Sequence, residues 1–268
     1  MKVRIFSVVG AMLMLTVCSK GDQRTAANAA SRTVDTTAPA AAPAAPAAAA
    51  TTSAAGGTIS GKIKFTGTAP RNPAIDMSEE AACKAKYKAT PTEENVVAGP
   101  ANALANVFVY VKAGVPAGQT FTAPTTPVVL NQDGCRYHPH VFGIMVNQPL
   151  EIKNSDPLLH NIKAIAKKNR PFNISQPNAG MQTSRTFTAP EVMVNLECNV
   201  HGWMKAFVGV RPDPFFAVSG ADGSFTISGL PPGTYTIEAW HEKLGTQTAT
   251  VTIAGTETKT ANLTFAAH

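Results

Sequence analysis

A thiolate, an imidazole and a thioether recur at i, i+3 and i+6 in Cys198-Asn199-Val200-His201-Gly202-Trp203-Met204. Both flanks of this segment are strand-like: Val192-Met193-Val194-Asn195-Leu196 before it and Ala206-Phe207-Val208-Gly209-Val210 after it. A tight loop between two strands can turn all three donors to one side. A fourth donor stands upstream in Asn154-Ser155-Asp156-Pro157-Leu158-Leu159-His160-Asn161, where His160 follows the strand-like Leu150-Glu151-Ile152-Lys153. One cysteine, two histidines and a weak methionine form a donor set that selects copper and tunes it for electron transfer. Zinc accepts cysteine and histidine but has little use for a neutral thioether.

Short alternating runs must position these donors. Thr58–Phe65, Asn106–Lys112, Thr234–Trp240 and Thr248–Ile253 alternate apolar and polar residues, and Gly and Pro punctuate the chain between them. That pattern predicts half-buried antiparallel strands of a sandwich or barrel. Ala221-Asp222-Gly223-Ser224 predicts a two-residue hairpin joining Phe216-Ala217-Val218 to Phe225-Thr226-Ile227, since Asp-Gly tolerates positive φ. Helix signals are confined to Glu79–Lys88, with Ser78 as its N-cap and Glu79 and Glu80 in its first turn.

The donor segments resemble the cupredoxins, the type 1 blue copper proteins, which place a His-Asn after a strand and then Cys, His and Met on one loop. The C-x2-H-x2-M spacing looks most like the short loop of the amicyanins; plastocyanins have a longer gap between His and Met. The resemblance implies one type 1 copper centre held by His160, Cys198, His201 and Met204. Asn161 would tether the ligand loop and hydrogen-bond near the sulfur, and Trp203 would cover the metal. His201 would be the partly exposed histidine through which electrons pass. Tyr137-His138-Pro139 stands where cupredoxins place an aromatic-x-Pro. Val200 and Gly202 occupy loop positions where prolines are common in the family.

The flanks resemble a second family, the carboxypeptidase regulatory-like (transthyretin-type) domains. Gly57–Ile63 with Ala105–Val111 looks like their opening strands, and Asp222–Tyr235 looks like their hairpin and "LPPGTY" turn. Together the resemblances imply an all-β protein. A Greek-key cupredoxin domain at 128–211 would be inserted in, or docked to, a second antiparallel β-sandwich made of 57–127 and 212–268. Two abutting domains with a boundary near Pro212 are the other arrangement. Similar modules in polysaccharide lyases make carbohydrate contact an association only.

The chain begins with Lys2 and Arg4 before an apolar run, Ile5–Val17, and then Cys18. This reads as a signal peptide over 1–17, too short to span a membrane comfortably. Leu15-Thr16-Val17-Cys18 resembles the lipobox of bacterial lipoproteins, so Cys18 is a candidate for lipidation and a membrane anchor; ordinary secretion is the alternative. Residues 18–56, rich in Ala, Pro and Thr, read as a tether. The expected location is therefore periplasmic, or an outer-membrane lipoprotein. With Cys18 assigned to export and Cys198 to copper, Cys83 and Cys135 remain. An exported compartment permits a disulfide between them, with two separate thiols as the alternative.

His138 and His140 are candidates for a second metal, against strand-edge packing. His241 reads as a structural polar residue. Lys163, Lys167, Lys168 and Arg170 form a run that would either steer an acidic redox partner or be a solvated face. The net charge of +6 is not concentrated as in a nucleic-acid binder. No nucleophile elbow, phosphate-binding loop or paired carboxylates in motif context occur, so no enzyme is expected. The leading expectation is an exported electron carrier with a redox partner protein. A periplasmic copper-binding or delivery protein and a metal-free carbohydrate-binding or adhesion module are the alternatives.

Overall fold

The computed structural model of the protein describes residues 56–267. The expected signal peptide, Cys18 and the expected tether as far as residue 55 lie outside the described residues. The regular structure of the described chain is almost entirely strand, as the alternation predicts. In order these are β1 (Gly57–Thr66), β2 (Phe108–Ala113), β3 (Val128–Gln132), β4 (Tyr137–His138), β5 (Val141–Met145) and β6 (Leu150–Asn154). Next come β7 (His160–Ile165), β8 (Phe172–Gln176), β9 (Gln182–Arg185), β10 (Glu191–Glu197), β11 (Lys205–Arg211) and β12 (Phe216–Val218). The last are β13 (Ser224–Leu230), β14 (Gly233–His241), β15 (Gly245–Ile253), β16 (Thr258–Thr260) and β17 (Leu263–Ala266).

Four sheets result. One has the order β13-β1-β16, with β17 also on β1; a second runs β12-β2-β14-β15. Their facing sides enclose a core that includes Ile59, Ile63, Phe65, Val109, Val111, Ile227, Tyr235 and Ile237. The third sheet is β4-β3-β6-β9 and the fourth β5-β11-β10-β7-β8. Between these lies a second core with Leu130, Phe142, Ile144, Ile152, Ile162, Val194, Leu196 and Val208. β3 pairs with β6, and β5 with β11, in parallel.

Period-2 alternation also joins the two sandwiches. On β2, Val109 and Val111 enter the first core, while Phe108 and Tyr110 point the other way and meet Val141, Phe207, Phe216 and Trp240. The fourth sheet admits the Phe108 ring because it carries glycines there. A Cβ on Gly209 would lie 2.3 Å from Phe108 Cζ, and one on Gly143 would lie 2.3 Å from the Phe216 ring.

Two local expectations need correction. The Asp222-Gly223 turn forms, with Gly223 at φ +73°, but it does not close a hairpin. β12 pairs with β2 and β13 with β1, so the turn carries the chain from one sheet to the other. Ser219 commits β12 to its sheet: its hydroxyl donates to the Leu104 carbonyl (2.8 Å) and accepts from the Val107 N–H (3.0 Å). The helix over 79–88 shrinks to α1 (Ala81–Lys84), preceded by Glu80 rather than capped by Ser78. The Ser78 N–H is instead turned back onto Asp76 Oδ1 (2.9 Å) in an Asx-turn. Beyond the helix, the Tyr87 hydroxyl donates to the Gly134 carbonyl (2.6 Å) and draws the chain toward the β3–β4 turn. Ile75, Met77 and Cys83 accordingly join the second core, although they lie between β1 and β2 in sequence.

Candidate metal centre

Strands β10 and β11 pair antiparallel up to Glu197 and Lys205. The loop between them is closed by its own backbone: the Cys198 N–H donates to the Met204 carbonyl (3.2 Å) and the Met204 N–H to the His201 carbonyl (2.9 Å). This closure, set by strand pairing, brings Cys198, His201 and Met204 to the end of the second core, where all three are buried. β7 lies beside β10 in the same sheet and begins at His160. His160 Nδ1 is 3.0 Å from His201 Nδ1, and Cys198 Sγ is 3.9 Å from His201 Nδ1. One donor atom from each of His160, Cys198 and His201 lies within 4.8 Å of the others.

Asn161 ties the loop to β7. Its Oδ1 accepts from the Asn199 N–H (2.7 Å) and the Cys198 thiol (3.3 Å), while its amide donates to Asn173 Oδ1 (2.6 Å). Tyr137, from the Tyr137-His138-Pro139 segment, is buried and donates its hydroxyl to the Asn161 carbonyl (2.5 Å). The His201 N–H points at Cys198 Sγ (3.4 Å). Burial pushes the Cys198 thiol up, but hydrogen bonds with His160, His201 and the Asn161 and His201 backbone outweigh it and bring its pKa down to about 5. The site thus favours the thiolate, the form that binds metal.

Asp156 is the functional residue that sequence reasoning missed. It is fully buried. Its Oδ2 accepts from His160 Nε2 (2.9 Å) and the Cys135 N–H (2.7 Å); its Oδ1 accepts from the Gly134 N–H (3.0 Å) and pairs with Lys86. Gly134 and Cys135 both have positive φ (64° and 55°), which turns their successive N–H groups toward one carboxylate. Burial opposes ionisation of Asp156, but these donors hold its carboxyl well below the usual carboxylate range. Burial lowers the His160 pKa, but the bonds to Asp156 and Cys198 outweigh it and raise it. With Nε2 engaged by Asp156, His160 turns Nδ1 toward the other donors, the arrangement by which a carboxylate fixes a metal-binding imidazole. The available signal was an Asp four residues before His160, in a segment that reads first as a turn.

The expected exposure of His201 is not found: the side chain is 2% exposed. Its Nε2 faces Cys83 Sγ at 3.9 Å and Glu80 Oε1 at 3.8 Å. The segment around α1 covers it, and a Cys83–Cys135 disulfide fastens that segment to the β3–β4 turn. Trp203 packs beside the imidazole at 5.2 Å between ring centroids and donates Nε1–H to the Cys135 carbonyl (3.0 Å).

Among the described residues the remaining histidines stand apart. His140 is bonded on both nitrogens, to the Lys205 carbonyl (3.1 Å) and to Glu242 (2.5 Å), and His138 is exposed. Among the described residues they join no group of three metal-ligating side chains. His241 is buried in the β14–β15 turn, where its Nδ1 accepts from the Lys243 and Leu244 N–H groups. The basic run bends around Glu191, whose carboxylate accepts the backbone N–H groups of Lys167, Lys168 and Asn169. Among the described residues no helix is long and apolar enough to cross a membrane.

Comparison with known proteins gives two kinds of similarity. Residues 208–266, the end of β11 through β17, match the carboxypeptidase regulatory-like domain. No curated protein matches the chain. Among solved structures, the chain is similar to a copper-containing nitrite reductase from Thermus scotoductus SA-01, with 24% identity and a TM-score of 0.31. That likeness covers 38% of this chain and only 26% of the reductase. A mutant amicyanin in the Cu(I) state is 18% identical, with a TM-score of 0.28, over 38% of this chain and 98% of that one. A purple cupredoxin from Nitrosopumilus maritimus is 22% identical, with a TM-score of 0.27, over 31% and 97%.

Proposed function

We propose that the protein is an exported type 1 copper protein that carries single electrons between redox partners and is not itself an enzyme. In this reading residues 128–211 are the cupredoxin domain, and 57–127 with 212–268 the regulatory-like sandwich. Cys18 is the lipid attachment point that holds the protein at a membrane. The observation that carries the copper assignment is the meeting of His160, Cys198 and His201, all buried, with their donor atoms within 4.8 Å. Met204 closes the same loop.

The residues fit the ion. Each histidine turns Nδ1 inward, the thiol is brought toward its thiolate, and Asp156 and Asn161 hold the ligands from outside. Copper bound here would supply a one-electron couple. The chain's own part is to hold the donors in place, so that little has to rearrange, and to exclude water from the sulfur. Leu159 and Val200, 44% and 45% exposed, stand next to the ligands in sequence and offer apolar contact to a partner.

The test is a visible spectrum of the protein loaded with Cu(II). Intense thiolate-to-copper absorption is expected, lost in Cys198→Ser together with tight binding. Full colour and full copper binding in that variant would overturn the assignment. Copper passed stoichiometrically to an acceptor, with no reversible redox couple, would move the reading to copper delivery.

A further inference from the structure

We propose that Cys83 and Cys135, when reduced, form a second metal site that takes Cu(I) and faces the far edge of His201. His201 lies between two groups of donors. Its Nδ1 faces His160 and Cys198, whereas its Nε2 faces Cys83 Sγ at 3.9 Å and Glu80 Oε1 at 3.8 Å. Donor atoms of Glu80, Cys83 and His201 lie within 4.8 Å of one another. Cys135 Sγ is bonded to Cys83 Sγ, so the two sulfurs point into one space whenever the bond is opened. A metal–imidazole bond of about 2.0 Å and a metal–thiolate bond of about 2.3 Å add to more than the observed separation. One ion can therefore touch Cys83 and His201 at a bent angle with little movement.

The chemistry of the pocket selects the ion. Both sulfurs are fully buried, and two thiolates in a water-poor setting favour Cu(I). Glu80 is the single hard donor, and its side chain is 41% exposed. As a disulfide the pair offers no thiolate, so the site exists only after reduction. With a phosphine as reductant, the phosphorus gives two electrons to the S–S bond and takes oxygen from water, which leaves a phosphine oxide and two thiols. Each thiol loses its proton to solvent when it binds Cu(I), His201 loses its remaining ring proton to solvent when both of its nitrogens are ligated, and the copper does not change valence. Of the donors proposed for the type 1 centre, this site shares His201 alone.

The experiment uses the full chain isolated from a reducing cytoplasm, one portion kept in a phosphine and the other oxidised and freed of it. Alkylation and mass spectrometry verify Cys83 and Cys135 as thiols in the first portion and as a disulfide in the second. Both are titrated with Cu(I) against bathocuproine disulfonate. The oxidised protein is expected to hold one equivalent and the reduced protein two. Cys198→Ala should hold none oxidised and one reduced. The Cys83→Ser, Cys135→Ser double variant should hold one under either condition, which also subtracts any contribution from Cys18. Equal stoichiometry in the two redox states overturns the proposal. So does an extra equivalent that persists in the double variant, unfolding of the reduced chain, or Zn(II) uptake as tight as that of Cu(I). If the oxidised protein held none and the reduced protein one, the second site would stand and the type 1 reading would fall.

Discussion

Replacing Asp156 by Asn tests whether a buried carboxylate positions His160. The change keeps the shape and removes the charge and one acceptor. Oδ1 serves the Gly134 N–H and Lys86; Oδ2 serves the Cys135 N–H and His160 Nε2. Whichever way the amide turns, its NH2 faces one backbone N–H and one side-chain donor. An unmet buried donor costs about 1–3 kcal/mol; Lys86, 32% exposed, can turn to water or Asp133, so an amide facing Gly134 and Lys86 leaves one such donor and costs about 1–3 kcal/mol. Against a typical stability of about 5–15 kcal/mol the variant should fold but unfold at clearly lower urea. The copper-free protein is the material for that measurement. Loss of a carboxylate behind a metal-binding imidazole costs about 10–100-fold in metal affinity. A chelator competition for Cu(II) should therefore show a deficit of about 1.4–2.7 kcal/mol. The carboxyl of Asp156 is held low in the folded state, so its contribution is present above the unfolded pKa and is lost as pH falls toward the folded one. The stability gap between native and variant should close as pH falls below about 4, and should also narrow as pH rises through the raised pKa of His160, whose charged form Asp156 favours. Unchanged urea midpoints would refute the hydrogen-bond reasoning. A destabilised variant with native copper affinity would leave Asp156 a structural residue and refute its positioning role.

The Cys83–Cys135 bond closes a loop of sequence separation 52; its loss in the double Ser variant should cost up to about 4 kcal/mol by loop entropy. A urea-derived loss below about 1 kcal/mol would mean that Ile75 and Met77 alone hold the cover. Burial pushes His140 down, but Glu242 and Glu94 outweigh it and raise its pKa above 6.5. Its stabilising charge is thus complete below about pH 6.5 and is lost as pH rises through the raised value. The melting-temperature gap between native protein and His140→Gln should be widest at acidic pH and narrow as pH rises, and a pH-independent gap would count against the ion pair. Gly209→Ala places a Cβ 2.3 Å from Phe108 Cζ. It should cost about 1–3 kcal/mol by overpacking, partly recovered by Phe108→Leu; no change in melting temperature would show that the two sheets do not pack as described.

The meeting of Cys198, His201 and Met204 was legible because their spacing is set locally. Three positions on one loop between alternating strands need only the loop to close, and the Cys198–Met204 backbone bonds close it. Strand positions were legible for the same reason. Pairing was less so. Nothing local in Phe216-Ala217-Val218 says that Ser219 will bond Leu104 and Val107, yet those bonds send β12 to β2 and turn an expected hairpin into a crossover. The parallel pairs β3–β6 and β5–β11 are equally invisible to a period-2 pattern. Asp156 escaped notice because Asn-Ser-Asp-Pro reads as a turn. Its importance depends on two N–H groups of the Gly134–Cys135 turn, about twenty residues upstream, that meet its carboxylate. The cysteines were open between a disulfide and separate thiols, since sequence gives no distance between two loops.

The burial of His201 shows how the two sandwiches share one site. The ligand loop belongs to the sheet that holds β10 and β11; its Trp203 packs beside the imidazole, but the Nε2 edge is met from elsewhere. The shield is Glu80 and Cys83, which the chain supplies on its way from β1 to β2, the strands that found the other sandwich. To reach the site, that connection places Ile75 and Met77 in the second core, bonds Tyr87 to Gly134 and pairs Lys86 with Asp156. Asp156 is also the residue that holds His160. The cover of one histidine and the orientation of the other therefore meet at a single carboxylate, with the disulfide beside it. The flanking sandwich does more than abut the one that holds the donors: its β1–β2 connection completes the environment of both imidazoles, with Cys83 facing His201 and the Cys135 N–H bonded to the Asp156 that holds His160.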